Sequence, residues 1–165
     1  REPGGSQNSE KIRRLILNKK SSFNKFTDLL MYMASRNENF HNILLKNYNK
    51  KIILIDLFID STIAYQHYGM GINLKIIKFI NNYILKNIKV NFTFLNTVNK
   101  KNLKKRLIRR KNLNRYDKFK LQFYSKVKNG FLKLSKNKKN YLIIDSNLSI
   151  SHNKKIIINK VKKLI

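Results

Sequence analysis

Three short runs of β-branched and apolar residues constrain this chain most: KIILID at 51–56, VNFTFL at 90–95 and YLIID at 141–145. Each reads as a strand buried in a parallel sheet. Around them apolar residues recur at helical spacing. Ser9 precedes a first helix with Ile12, Leu15 and Ile16 on one face, and Thr27 caps a second that runs to about residue 45. Further helical patterns cover 74–85, a long stretch over 99–134 interrupted near Asn112, and 154–164. Strands alternating with helices predict an α/β fold, a parallel sheet flanked by helices and joined by right-handed crossovers. An open sheet of this class has about five strands, and the chain opens at Arg1 rather than at Met. One or two strands are therefore expected upstream. No repeat or linker divides residues 1–165, which read as a single domain.

Composition narrows the function classes. Hydrophobic residues make up 42%, too many for a disordered chain. The absence of cysteine removes disulfides, thiolate metal sites and thiol nucleophiles, and fits a reducing cytoplasm. No apolar run approaches the ~20 residues that span a bilayer, so no membrane partner is expected. The net charge of +29 invites a nucleic-acid reading. The excess lies in Lys, however, alongside abundant Asn and Ile, three residues that rise together under AT-rich coding. The lysines are also spread along the chain rather than gathered in a stripe. Compositional drift is the preferred reading, with no specific nucleic-acid partner expected. A basic nucleic-acid-binding α/β module is the rival.

Four segments carry chemistry, and doubly wound sheets bind ligands beyond the carboxyl ends of their strands. In Arg1-Glu2-Pro3-Gly4-Gly5-Ser6 the glycines permit close backbone approach and the Arg suits a phosphate, unless this is an ordinary turn. Tyr32 and Arg36, four apart, share a helix face that offers a ring for stacking and a fork for a polar edge, or else a core Tyr and a solvated Arg. Asp56 closes its strand where many phosphotransferases hold magnesium, directly or through water; a strand-end cap is the equal alternative. Asp60 or Ser61 then caps a helix presenting Tyr65 and Gln66, whose amide both donates and accepts. Lastly, Arg106, Arg109, Arg110 and Arg115 cluster as in phosphate-neutralising helices, or as a solvated basic face. His41, His67 and His152 lack ligand spacing.

In order and separation these segments resemble the thymidylate kinase family. REPGG at 1–5, the Tyr32–Arg36 helix, IDLF at 55–58 with DSTIAYQ at 60–66, GMGI at 69–72, FTFLN at 92–96, NRYD at 114–117 and IID at 143–145 match its motifs over nearly the whole chain. The resemblance implies a P-loop NTPase fold of the nucleoside monophosphate kinase type, with the first strands missing and a lid at about 104–118. It also implies transfer of the ATP γ-phosphate to dTMP with Mg²⁺, and compatibility with a homodimer. By the same resemblance Tyr32 would stack on thymine, Arg36 would contact the base or its phosphate, and Gln66 would meet the pyrimidine edge. Tyr65 would lie against the deoxyribose beside Ser61, Arg1 and Glu2 would frame the phosphate, Asp56 would serve the magnesium shell, and Arg106, Arg109, Arg110 and Arg115 would supply lid charge.

Three departures qualify this. No GxxxxGK[ST] loop, the usual ATP-phosphate cradle, occurs in the 165 residues. Leu57 stands where the family has Arg, Ser35 where an acid is common, and Asn96 where the strand ends in Asp. The expectation is a kinase-family chain without appreciable turnover by itself, the alternative being a degenerate protein that binds dTMP without transfer.

Overall fold

A computed structural model describes all 165 residues. Along the chain run α1 (Gln7–Leu17), α2 (Lys25–Asn39), α3 (Ile59–Thr62), α4 (Leu74–Leu85), β1 (Thr93–Thr97), α5 (Lys100–Arg109), α6 (Leu121–Ser135), β2 (Tyr141–Asp145) and α7 (Ile150–Lys162). The chain divides into two compact units, Arg1–Lys89 with Leu113–Leu134, and Val90–Asn112 with Ser135–Ile165.

In the first unit local chemistry sets the helix ends. The Asn24 side chain accepts from the Phe26 and Thr27 amides at 3.0 and 2.9 Å, so Asn24 and not Thr27 caps α2. The α1 helix begins behind Ser6, and Ser9 lies inside it, fully buried. Asn73 caps α4, accepting from the Lys75 amide at 2.8 Å. Both α2 and α3 run on into wider π-helical turns, at Phe40–Leu44 and Ile63–Gly69, a winding that often marks functional segments. The apolar faces of α2 and α4 and both π-turns supply the core: Leu29, Met33, Phe40, Leu44, Ile63, Ile77, Ile84 and Leu85.

Residues 51–56 correct an expectation. They form no strand: Ile53 and Ile55 pack against the core, while Ile52 and Leu54 are 66% and 85% exposed. The side chains alternate as a strand's would, but a strand needs a neighbour to take its backbone N–H and C=O groups. That partner is a non-local requirement that composition cannot supply.

In the second unit β1 and β2 pair in parallel, Thr93 opposite Tyr141 through to Thr97 opposite Asp145, and make a two-stranded sheet where three strands were expected. The β1 strand starts later than the apolar run at 90–95 suggested. Ser149 caps α7 by accepting from the His152 amide at 3.2 Å, and the helix begins at Ile150, four residues before the expected start. No helix of the protein is long and apolar enough to cross a membrane.

Close approach between α6 and Tyr68 gives a test of the first unit's packing. A Cβ on Gly130 would lie 2.6 Å from Tyr68 Cδ2 and 2.9 Å from Tyr68 Cβ. Gly130→Ala should therefore destabilise by about 1–3 kcal/mol through overpacking. Chemical denaturation reads this directly, and an unchanged midpoint would contradict the contact.

Candidate active site

The centre of the site is a buried guanidinium. Arg36, 2% exposed, comes from the last turns of α2 and spends three of its nitrogens on three other segments. Its Nε donates to Glu2 Oε2 at 2.7 Å, Nη1 to Asn81 Oδ1 at 2.5 Å, and Nη2 to Thr62 Oγ1 at 3.0 Å. Phe58 packs 5.1 Å from the guanidinium carbon. The loop at 1–5, α2, α3 and α4 thus meet at one charge. A guanidinium has five N–H donors, so two remain beyond these three bonds.

The glycine loop is held as firmly. The Gly4 amide donates to Ser9 Oγ at 3.0 Å and to Ser35 Oγ at 3.2 Å, and those two buried hydroxyls bond each other. Asn39 closes the frame: its Oδ1 accepts from the Ser6 amide at 3.0 Å and its Nδ2 donates to the Gly4 carbonyl at 2.6 Å. Gly4 and Gly5 sit at φ 106° and 115°, where a side chain would be strained. Arg1 does not project freely: its Nη2 pairs with Glu10 at 3.0 Å, and Glu10 also accepts from the Gly5 amide at 2.9 Å. That backbone bond, with Arg1 beside it, holds the Glu10 carboxyl below its usual range. A depressed carboxyl stabilises the fold above the ordinary Glu range and loses that contribution as pH falls through its folded value.

Tyr32 and Tyr65 line the same unit. Their rings stand 6.2 and 6.0 Å from that of Tyr116, each edge-on. Burial pushes the Tyr32 phenol up, and burial with Asp117 does so for Tyr65, so both stay protonated. Gln66 follows Tyr65 in the π-turn, 1% exposed, with neither Nε2 nor Oε1 bonded within the protein. Ser61 is half-buried one turn earlier, its amide donating to the Phe58 carbonyl at 3.1 Å. Asp56 is exposed, and its carbonyl accepts from the Glu2 amide at 3.0 Å, bringing the glycine loop beside it. Leu57, next to it, adopts φ 65°. No group of three or more acid or imidazole ligands gathers anywhere. Magnesium fits a single carboxylate when phosphates and water complete its shell, and Asp56 matches that chemistry.

The remaining arginines divide between the units. Arg115 belongs to the first, paired with buried Asp28. Arg106, Arg109 and Arg110 belong to the second, all exposed, with Arg106 Nη2 donating to the Ser146 carbonyl at 2.6 Å.

Helices with a short parallel sheet fit a nucleoside monophosphate kinase-like α/β fold. The thymidylate kinase family model matches residues 1–157. Thymidylate kinase from Sulfurihydrogenibium sp. is 35% identical over 99% of this chain and 80% of its own length. That from Mycoplasma capricolum is 37% identical over 99% and 81%. The crystal structure of thymidylate kinase from Ehrlichia chaffeensis superposes with a TM-score of 0.76 at 28% identity, covering 98% of this chain and 77% of that one. The chain belongs to the thymidylate kinase family.

Sequence reasoning missed Thr62, Asn81, Asn39, Ser9 and Asp28. All are small polar or acidic residues within helices, and each makes at least one bond to another segment. A buried polar residue inside an amphipathic pattern is the only signal that points to them.

The two ion pairs at the glycine loop should differ sharply in worth. Glu2→Ala leaves the Arg36 charge buried without its counter-ion and should cost roughly 3–5 kcal/mol. Arg1→Ala breaks an exposed pair and should cost less than about 1 kcal/mol. Equal denaturant midpoints for the two variants would refute Arg36 as the hub.

Proposed function

We propose that the chain forms the dTMP-binding part of an enzyme that moves the ATP γ-phosphate onto dTMP, giving dTDP. The observation that carries this is Gln66. A buried amide with both halves unbonded costs about 1–3 kcal/mol, a cost that a pyrimidine's adjacent N–H and C=O would offset by supplying an acceptor and a donor in return. Tyr32 offers a face for the thymine ring, and Tyr65 with Ser61 lies toward the sugar. The two N–H donors left on Arg36 serve the base or its phosphate. Held by Glu2, Asn81 and Thr62, that guanidinium is oriented before ligand arrives, which reduces the ordering cost of binding.

Arg1 and Glu2 act through the glycine loop, Arg1 by way of Glu10. Asp56 would hold Mg²⁺, whose chemistry is to neutralise phosphate charge during transfer. Arg106, Arg109 and Arg110 serve as the lid's positive charge, while the guanidinium of Arg115 is spent on Asp28. Exposed Phe26 and Leu30 on α2 suit a homodimer contact. Positioning of ATP is most of phosphoryl-transfer catalysis, and the 165 residues hold no GxxxxGK[ST] sequence to cradle it.

Calorimetry with dTMP tests the reading. The chain should bind dTMP, and Gln66→Leu should weaken binding by roughly tenfold or more, the loss of two hydrogen bonds. Equal affinity in Gln66→Leu would remove Gln66 from the site. With dTMP, ATP and Mg²⁺ supplied, the 165-residue chain by itself should release ADP no faster than background, and rapid release would overturn that part.

A further inference from the structure

Asp28 is almost fully buried, 1% exposed, and has no assigned task in the reaction. It lies one helical turn before Tyr32 on α2. Its two carboxylate oxygens accept from two neighbouring residues distant in sequence: Oδ1 from Arg115 Nη2 and Oδ2 from the Tyr116 hydroxyl. Those donors sit at a tight turn, Tyr116–Lys118, that joins the arginine-rich stretch to α6. The turn is otherwise held by modest bonds: the Tyr116 amide donates to Asn114 Oδ1 at 2.8 Å, the Tyr124 hydroxyl to the Tyr116 carbonyl at 2.8 Å, and the Arg115 amide to the Leu17 carbonyl at 3.3 Å.

Burying a carboxylate is expensive, and an apolar side chain of similar size would often serve stability as well. What a carboxylate adds is direction. Its two oxygens fix the guanidinium and the phenol at once, and so fix where the Tyr116 ring stands. That ring is edge-on to both Tyr32 and Tyr65, with Phe119 5.4 Å from it. Burial first, then the neighbouring Tyr32 and Asp28, push the Tyr116 phenol far up, so its hydroxyl remains a donor throughout the working range.

We infer that Asp28 is a positioning residue for the nucleotide site: through Arg115 and Tyr116 it sets the Tyr116 ring, edge-on to both Tyr32 and Tyr65, as a wall against which the base and sugar are held. The inference rests on the reading that dTMP binds at Tyr32 and Tyr65. It concerns the nucleoside and not the phosphate.

Tyr116→Phe keeps the ring and removes only the hydroxyl; Asp28→Asn keeps the shape and removes the charge. Binding of dTMP and of thymidine is measured by calorimetry on wild type and both variants, well below their melting transitions. Both variants should bind both ligands more weakly, by the same factor of about 10 to 150, the range expected for one hydrogen bond to a charged group. Should Asp28→Asn fail to fold, Tyr116→Phe decides alone. A lower melting temperature with wild-type affinity in Tyr116→Phe would mean a merely structural cluster and overturn the inference. So would a loss confined to dTMP with thymidine unaffected. Failure of the wild-type chain to bind either ligand would instead strike at the underlying site reading, and the two failures are told apart by that first titration.

Discussion

The buried Arg36 guanidinium is the constraint around which the first unit is arranged. An unpaired cation in such a position would cost several kcal/mol, so every segment near it is obliged to present an oxygen. Glu2, Thr62 and Asn81 do so from three elements that share no local sequence. The demand propagates outward. Glu2 can reach Arg36 only if the glycine loop lies against α2, and the Ser9, Ser35 and Asn39 bonds to Gly4 and Ser6 keep it there. Thr62 holds α3 in turn, and α3 leads into the π-turn bearing Tyr65 and Gln66. Charge satisfaction at one atom group therefore positions side chains that never touch it.

Much of the fold was legible because it rests on local rules. The α4 helix spans the residues its apolar spacing marked, and the break near Asn112 falls between α5 and the turn at Tyr116–Lys118. What was illegible needed a partner from elsewhere. KIILID has a strand's composition but no neighbour to ladder with. Arg36 was read as either a ligand contact or a solvated side chain. Burial with three internal acceptors is a third state that the spacing of Tyr32 and Arg36 does not encode. Asp28 sits in a first helical turn, where an acid ordinarily complements the helix dipole, and only its bonds to Arg115 and Tyr116 reveal another use.

The same logic explains which charges belong to the site and which to the surface. The chain carries 37 Lys and Arg against 8 Asp and Glu, so acids are scarce. Three of those acids, Glu2, Glu10 and Asp28, pair with arginines. A lysine could not replace Arg36, because a single ammonium cannot direct three separate donors in one plane toward acceptors on three segments. Lysines on exposed helix faces need only solvent. Drift toward Lys can thus accumulate across the surface, where each added charge costs little beyond mutual repulsion that salt screens. It cannot enter the forks at Arg36 and Arg115 without losing a bond on which a buried acid or its neighbours depend.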